Sequence, residues 1–392
     1  MIKTIEECFF QIQNGANIKQ GDMDGGFPIT RIETTANDKF NRDRMGYAGI
    51  TDISKYELYI LEDGDLLMSH INSAQYLGRT VLYVKQPNET IIHGMNLLRL
   101  KARRDIIDPA YARYCFCGHP FRNQIGNITK KSVNQASFAV KDLKQIIIDI
   151  PTVPEQLGIV EILDKIQQII ELRTDEMAKL DNLIKARFVE MFGDPLDKIK
   201  ANKYFVDCVE FNPKKTEVKE RMKEKASFVP MECVGVDGSF IIKEDGLVED
   251  YYRGYTYFKD GDVLLAKITP CFENGKVAIA ENCTNGIGFG TTEFHVLRPI
   301  LGVSNSYWIK YMFKNDIVHG LATINMTGSA GQKRIQTPFF EKLKIYLPPI
   351  EKQEQFADFV KQVDKSKVVG MTIKLIFKVR LNTYYEGYWS VI

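Results

Sequence analysis

The chain has 392 residues, of which 44% are hydrophobic and 26% are charged, and its formal net charge is +2. That length is enough for two domains with separate cores, and the composition is typical of a soluble globular protein. The small net charge gives no strong overall field, so any binding of nucleic acid must come from local basic patches. No apolar run approaches the roughly 20 residues that span a bilayer, and no signal peptide is evident. Seven scattered cysteines fit reduced thiols, and a cytoplasmic location is expected.

Residues 1–50 are polar and rich in turn signals, and they contain a basic group interleaved with aromatic residues. The group comprises Arg31, Lys39, Phe40, Arg42, Arg44 and Tyr47. Basic side chains mixed with aromatic ones suit contact with phosphates together with base stacking. On this stretch alone, an ordinary solvated face is an equal alternative.

The remainder of the first 150 residues alternates short strands with a helix. Apolar runs between Gly and Asp turns predict strands at 58–60, 65–70, 80–84, 91–100 and 146–150. Asp108-Pro109 predicts the start of a helix that runs to Phe116, because proline fits the first helical turn.

A long helix is predicted from residue 155 to residue 192. Alternate steps of four and three residues from Ile159 trace an apolar stripe that only Arg173 and Arg187 interrupt. The apolar members of this seam are Ile159, Leu163, Ile166, Ile170, Met177, Leu180, Ile184 and Met191. Its period of 3.5 residues is typical of a coiled coil. The sequence therefore predicts a spacer on the order of 55 Å long with one adhesive face, and the alternative is a core helix of one domain.

Both ends of this helix carry sequence signals. Thr152 and Glu155 have the spacing of a capping box, with Pro154 in the first turn. Gly193-Asp194-Pro195 predicts the end of the helix.

The two flanks of the helix resemble each other at one constant shift. Gly64-Asp65 corresponds to Gly261-Asp262, which gives 262 − 65 = 197. The same shift relates further pairs: Gly78 and Gly275, Tyr114 and Tyr311, Phe116 and Phe313, Ser132 and Ser329, Gln135 and Gln332, Ile148 and Ile345, and Pro151 and Pro348. A shift that persists over so many residues predicts a tandem duplication of a globular domain followed by a helix.

The second copy repeats the predicted elements of the first. A basic stretch at 211–225 is followed by predicted strands at 263–268, 277–280 and 294–297 and a helix at 306–313. Short strands mixed with short helices predict an α/β or α+β class, without fixing the order of the strands.

The motifs of catalysis are absent or incomplete. No G-x-x-x-x-G-K-[ST] phosphate loop is present, so ATP hydrolysis is not expected. Residues 286–290 alternate glycine with apolar residues, which suggests a flexible hairpin rather than a cofactor loop. Residues 115–119 (CFCGH) could suggest zinc, but they lack a second ligand pair, and buried helix cysteines are the simpler interpretation. Residues 108–111 (DPAY) only partly match the D-P-P-Y motif of amino-methyltransferases, and a helix cap explains them better.

Several runs resemble one known family. The runs IPTVPEQ at 150–156 and LPPIEKQ at 347–353 look like the two conserved regions of type I restriction-modification specificity subunits. ITPCFENGK at 268–276, TEFHVLRP at 292–299 and residues 22–52 resemble the body of that family's target recognition domains. The resemblance covers nearly the whole chain up to about residue 367.

The resemblance implies two similar target recognition domains in tandem, separated by long coiled-coil-like helices, each reading half of a split sequence in double-stranded DNA. It implies no catalysis by the chain itself and no cofactor or metal. Partner methylation subunits, expected to number two, modify adenines, and restriction subunits translocate and cut DNA. The expected divisions are residues 1–150 and 195–347 for the recognition domains, 151–194 for the central helical spacer, and 348–392 for the C-terminal helical region.

Candidate DNA contacts lie in turns after strands, where Asn and Gln suit adenine and Arg and Lys suit guanine or phosphate. They are Arg31, Arg42, Arg44, Asn72, Gln75, Arg79, Lys130, Lys131, Asn134 and Gln135 in the first copy, and Lys267, Thr269, Asn274, Lys276, Ser329, Gln332, Lys333 and Arg334 in the second. The predicted partner-binding face of the helix comprises Ile159, Leu163, Ile166, Ile170, Met177, Leu180 and Ile184. Solvated loop residues are the alternative for about half of the DNA-contact set.

The sequence departs from the family after about residue 367. Gly370, a run of β-branched residues and a tyrosine-rich end replace the expected heptads, so the C-terminal helical region has an atypical tail and the pairing of the two helical arms is left open. Two other functions stay open: a stand-alone adenine methyltransferase, and a coiled-coil scaffold that binds no DNA.

Overall fold

A computed structural model of the chain describes residues 1–19, 25–132, 135–197, 199–329 and 331–387. The chain forms two compact units, one of Met1–Thr174 with Thr372–Ile392 and one of Asp175–Met371. Both units combine helices with sheets, which confirms the predicted mixed class. Within the described residues, no helix is both long and apolar enough to cross a membrane.

The first unit is built on an antiparallel sheet in the order β2-β6-β3-β5. A smaller sheet has the order β4-β8-β7, and β1 pairs with β9. The strands are β1 (Ile2–Thr4), β2 (Phe9–Asn14), β3 (Leu66–Ser69), β4 (Ile71–Asn72), β5 (Thr80–Leu82), β6 (Leu97–Ala102), β7 (Lys130–Lys131), β8 (Ala136–Ser137) and β9 (Ile147–Asp149). The α-helices are α1 (Ile5–Cys8), α2 (Pro109–Cys117), α3 (His119–Ile128) and α4 (Val140–Lys144), and 3-10 turns lie at Ile32–Asp38, Arg42–Arg44, Ser54–Tyr59 and Ala74–Tyr76.

Strand β3 is buried on both faces because successive side chains point to opposite sides. Leu66 and Met68 enter the core that also contains α2, whereas Leu67 packs in a second core with Tyr83. The predicted strand at 58–60 is wrong. The carbonyls of Leu58 and Ile60 accept hydrogen bonds from the Arg99 guanidinium, at 2.7 and 2.8 Å, and residues up to Tyr59 form a 3-10 turn instead.

The long helix α5 (Val153–Phe192) follows the first domain. The Glu155 carboxylate accepts a hydrogen bond from the Thr152 amide at 2.9 Å, and Gly193 ends the helix with a φ of +71°. Along the predicted seam, three members are buried, namely Ile159, Leu163 and Ile184. The others are half-buried, namely Ile166, Ile170, Met177, Leu180 and Met191.

The second unit contains two four-stranded sheets, in the orders β11-β18-β15-β16 and β13-β12-β17-β14, and a β10-β19 pair. The strands are β10 (Lys203–Tyr204), β11 (Val209–Phe211), β12 (Lys225–Val229), β13 (Glu244–Leu247), β14 (Thr256–Lys259), β15 (Val263–Ala266), β16 (Val277–Ile279), β17 (Ile287–Gly290), β18 (Phe294–Pro299) and β19 (Lys344–Ile345). The helices are α6 (Val248–Tyr252), α7 (Ser306–Phe313), α8 (Asp316–Ile324), α9 (Thr337–Lys342) and α10 (Ile350–Gly387), with 3-10 turns at Phe205–Asp207, Lys215–Arg221, Met231–Cys233 and Thr284–Gly286.

The prediction of a flexible hairpin at 286–290 is wrong, because most of it forms the buried strand β17 between β12 and β14. The glycines of β17 are required by the close packing of their neighbours. A Cβ atom on Gly288 would lie 1.9 Å from a ring carbon of Phe258, and one on Gly290 would lie 2.6 Å from the Val229 carbonyl oxygen. Only a residue without a side chain lets the neighbouring ring and backbone come this close.

Strand registers confirm the predicted duplication. Leu66 pairs with Leu82 in the first unit, and Val263 pairs with Ile279 in the second, each shifted by 197. The shift also carries α2 onto α7 and α3 onto α8. The repeat therefore extends from matching residues to matching backbone pairing.

The atypical C-terminal tail does not break the helix, since α10 continues through Gly370 to Gly387. A Cβ atom on Gly370 would have Met177 at 3.9 Å, so this glycine lies in a packed position. The aromatic ring of Phe356 on the same helix contacts Phe188 and Phe192 of α5 with centroids 5.4 and 5.5 Å apart. Tertiary packing between helices outweighs the intrinsic cost of glycine.

One buried glutamine joins each long helix to its domain. Gln156 accepts a hydrogen bond from the Asp108 amide at 2.8 Å and donates to the carbonyls of Ile106 and Pro151 at 2.9 and 3.0 Å. Its counterpart at a shift of 197 is Gln353, which is equally buried and bonds three equivalent backbone groups.

We expect Gln353→Leu to lower the free energy of unfolding of the second unit by about 2–4 kcal/mol, since it leaves buried backbone groups unpaired. The measurement is urea unfolding followed by the fluorescence of buried Trp308, with Trp389 replaced by phenylalanine. Gln362→Leu, on the exposed face of the same helix, is the control and should leave the midpoint unchanged. Equal midpoints for the two variants would contradict the structural role of Gln353.

The imidazole of His295 on β18 predicts a pH dependence. It donates from Nε2 to the Ile335 carbonyl at 2.9 Å, and burial lowers its pKa to about 4. The unfolded chain binds this proton near pH 6.5, so stability is constant above that pH and falls as the pH drops towards 4. We expect His295→Gln, which keeps a donor but does not titrate, to remove up to about 1.4 kcal/mol of this loss per pH unit. If the urea midpoints of the unaltered chain and of His295→Gln change in parallel between pH 7.5 and 5, the loss of stability does not come from His295.

Candidate nucleic-acid interface

The small sheet of the first unit brings together several predicted contact residues. Asn72 on β4 and Lys131 on β7 both pair with Ala136, one on each side of β8. Lys130 and Lys131 are exposed, and so is the neighbouring Gln135, whose carbonyl accepts a bond from the Ser132 amide. Asn134, also predicted, lies outside the described residues. The result is an exposed polar edge with two adjacent lysines.

The second unit repeats this arrangement. Ile268 and Thr327 both form β-bridges to Arg334. At a shift of 197, these three residues correspond to Ile71, Lys130 and Ser137 of the first unit. The Thr269 amide donates to the Lys333 carbonyl at 2.9 Å, and the Ile335 amide donates to the Lys267 carbonyl at 2.9 Å. The structure therefore brings the predicted residues near 267 and near 333 into one site.

The loop between these bridges is polar and accessible. Ser329, Gln332 and Lys333 are exposed, and the Gln332 amide donates to the Ser329 carbonyl at 3.0 Å. Among the described residues, no hydrogen bond or ion pair engages the ammonium of Lys333. Its side chain can therefore reach a phosphate or a base edge.

Other predicted contacts are already engaged inside the protein. Arg334 forms a bidentate pair with Glu293, at 3.0 and 2.9 Å, and this hydrogen bonding lowers the pKa of Glu293. The Thr269 hydroxyl is buried, and the Lys276 ammonium donates to the Met231 carbonyl at 3.0 Å. The side chains of Arg334 and Lys276 therefore shape the site instead of presenting free groups, whereas the buried Thr269 hydroxyl has no hydrogen-bond partner among the described residues. Asn274 is exposed and Lys267 is half-buried.

Two predicted contact residues of the first unit, Arg42 and Arg79, are paired as well. Arg42 binds Glu89 at 2.9 and 2.7 Å and lowers the pKa of that carboxyl to about 2. Arg79 pairs with Asp38 at 2.9 Å and lies over the Tyr76 ring at 4.6 Å.

Three other predicted contact residues of the first unit are less strongly engaged among the described residues. Arg31 has a looser pair with Glu33 at 3.6 Å. Arg44 and Gln75 are exposed.

One residue of the second site escaped sequence reasoning. Thr327 occupies the place of Lys130, whereas the candidates there began at Ser329. The shift of 197, applied to every first-copy residue, would have identified Thr327.

The remaining chemical motifs have structural explanations. Asp108 caps α2, accepting hydrogen bonds from the amides of Ala110 and Tyr111 at 2.9 and 3.0 Å. Cys115 is buried, as expected, but Cys117 is exposed. Within the described ranges, no group of three His, Cys, Asp or Glu side chains is arranged to hold a metal ion.

Comparison with known proteins gives a consistent family. The model of the type I restriction modification DNA specificity domain matches residues 3–182 and 208–374. The putative type I restriction enzyme MjaX specificity subunit of Methanocaldococcus jannaschii is 27% identical over 97% of this chain and 94% of its own length. The EcoAI specificity subunit of Escherichia coli is 45% identical, over 37% of this chain and 25% of its own length.

Solved structures agree at the level of the fold. The type I restriction-modification S subunit from M. genitalium matches with a TM-score of 0.55 and 12% identity, covering 99% of this chain and 96% of that one. A chain solved in a study of complex assembly and conformational transition of the type I system matches with a TM-score of 0.53 and 14% identity, covering 98% of this chain and 96% of that one. Two domain matches in tandem, on two units with the same strand registers, confirm the resemblance read from the sequence. The chain belongs to the type I restriction-modification DNA specificity family, as a specificity subunit and not as an enzyme.

Proposed function

We propose that this chain is the DNA-recognition subunit of a type I restriction-modification complex and that each unit reads one half of a bipartite target. The observation that carries this proposal is the duplicated polar edge, where Ile71 pairs with Ser137 in one unit and Ile268 with Arg334 in the other. Two sites of the same backbone design but different side chains suit two different half-sites.

The proposed contact residues are of two chemical types, cationic and amide. Lys130, Lys131 and Lys333 supply positive charge for phosphates, while the exposed Gln332 has the amide group that matches adenine. The amide of Asn72 has the same chemistry but is hydrogen-bonded to Ser69 and Ser73 within the protein. A formal charge of +2 on the whole chain is compatible with this, because phosphate contacts are shared between two units and with partners.

The chain would direct its partners without catalysing a reaction. Two methylation subunits bind the helical regions, through the seam from Ile159 to Ile184, and restriction subunits join through the complex. The proposed divisions are residues 1–150 and 195–347 for DNA reading and 151–194 and 348–392 for spacing and assembly. The role places the protein in the cytoplasm. Binding of S-adenosylmethionine by the isolated chain would favour a methyltransferase instead, and a complete lack of salt-dependent DNA binding would favour a scaffold.

The first test exploits the independence of the two sites. We expect Lys130→Ala with Lys131→Ala to weaken recognition of one half-site, and Gln332→Ala with Lys333→Ala to weaken the other. Each lost phosphate contact should reduce the salt dependence of binding by about one unit of slope. Methylated sites mapped on random DNA, with the partner subunits present, give the readout.

Matched controls are Lys219→Ala and Lys223→Ala, exposed lysines of the second unit outside the small sheet. They should leave both half-sites unchanged. If every lysine variant weakens both halves equally, the assignment of one half-site to each unit is wrong.

The second test concerns the spacer. Four residues inserted in α5 between Arg173 and Met177 lengthen the helix by about 6 Å, close to two base pairs. We expect unchanged half-sites separated by a longer gap in the methylation map. The same four residues placed after the fully exposed Leu301 should change nothing. An unchanged gap after the helix insertion would show that α5 does not set the distance.

A further inference from the structure

Each unit contains a cavity beside a long helix, and the two cavities occupy equivalent places in the repeat. The first has a volume of about 700 Å³ and lies between α2, the end of β5 and α5. The second has a volume of about 520 Å³ and lies between α7, the end of β16, α5 and α10. Such volumes accommodate several side chains of a binding partner.

The residues that line the two cavities occupy equivalent positions in the repeat. Arg113 and Tyr114 on α2 become Lys310 and Tyr311 on α7 at a shift of 197, and Phe40 becomes Phe240 at a shift of 200. Further equivalent pairs are Leu82 with Ile279, Ala110 with Tyr307, Asp164 with Lys361 and Gln167 with Asp364. Tyr307 is thus a larger residue where the first lining has Ala110.

The charges exclude a nucleic-acid backbone as the ligand. Apart from His119, the charged residues of the first lining are Lys39, Arg113, Arg122, Asp38, Asp164 and Glu171. Those of the second are Lys310, Lys361, Lys365, Lys367, Asp181, Asp237, Glu281 and Asp364. Positive and negative groups balance in both, so neither cavity has the positive excess that a run of phosphates needs.

The two cavities also differ in a way that argues against a shared small molecule. Asp164 and Lys361 stand at the same position with opposite charge, so one compact ligand would meet opposite fields. What the cavities share is a cation followed by a tyrosine on the short helix. A protein segment that uses this common pair can tolerate the differences around it.

The cation at this shared position, Lys310 in the second unit and Arg113 in the first, can bind a further hydrogen-bond acceptor. Lys310 has 8% of its surface exposed, and its ammonium donates to the Gly238 carbonyl at 3.2 Å. An ammonium has three donors, so a buried lysine with one carbonyl partner is stabilised by a further acceptor. In the first unit, the Arg113 guanidinium lies 4.2 Å from the centre of the Tyr114 ring and 3.7 Å from Asp164, and its side chain is 25% exposed.

We infer that the two cavities are equivalent docking sites for one carboxylate-bearing protein segment, presented by two copies of the same partner. The carboxylate binds Arg113 in one unit and Lys310 in the other, and an apolar neighbour packs beside the tyrosine and phenylalanine of each lining. The inference rests on the proposed function, because the partner it names is the methylation subunit of the complex.

The test counts methylation subunits by native mass spectrometry of the full chain mixed with the methylation subunit encoded beside it. The unaltered chain should bind two copies. Arg113→Met and Lys310→Met should each bind one, and the double variant none, whereas Arg113→Lys and Lys310→Arg should restore two. Lys314→Met is the matched control, since this half-buried lysine on the same side of the second unit donates to the Val236 carbonyl and does not line the cavity.

A second variant separates docking from folding. Ala110→Trp fills the first cavity without changing any charge and should also reduce the count from two to one. Two copies bound by Ala110→Trp, or by the double methionine variant, would overturn the inference. Failure of the proposed function has a different signature, because the unaltered complex would then show no sequence-specific methylation whatever its subunit count.

Discussion

Each half of the molecule depends on the hydrogen bonds of one buried side-chain amide. Gln156 holds the start of α5 to the segment that leads into α2, and Gln353 does the same for α10 and α7. In both cases a single buried amide satisfies one backbone donor and two backbone acceptors, which makes the junction specific in angle as well as in place. The cavity of each unit is lined by the two helices that meet at this junction.

Local sequence signals predicted those parts of the fold that depend on local physics. The 3.5-residue period predicted α5 and identified its buried residues Ile159, Leu163 and Ile184, but it missed the buried Phe188 and Phe192. Proline after aspartate identified the start of α2. Residues 58–60 were misassigned because the group that takes their carbonyls, Arg99, lies about forty positions away in the chain. Gly288 was assigned to a flexible hairpin, and Gly370 was counted against the heptads, because their packing partners, Phe258 and Met177, are also distant in sequence.

The candidate site shows the same division between local and distant causes. Polar residues after strands could be recognised from the pattern, and the repeat placed them at matching positions. Arg42 pairs with Glu89 and Arg334 pairs with Glu293, and each glutamate lies more than forty residues from its arginine in the sequence. Sequence alone could not separate a cation that is already paired from one, such as Lys333, whose exposed ammonium has no partner among the described residues.

The agreement of backbone register between the two units also bears on how such a protein can change. Leu66 and Val263 have the same neighbours on both sides of the strand, at the same relative positions. The corresponding segment of the second unit also contains β17, however, and β17 pairs with β12 and β14, which lie outside that segment. Exchange of the segment from β3 to β8 between the units would keep the pairing around β3 and β15 but would remove the strand that joins β12 to β14. The shared register therefore favours the exchange of whole units over the exchange of segments within them.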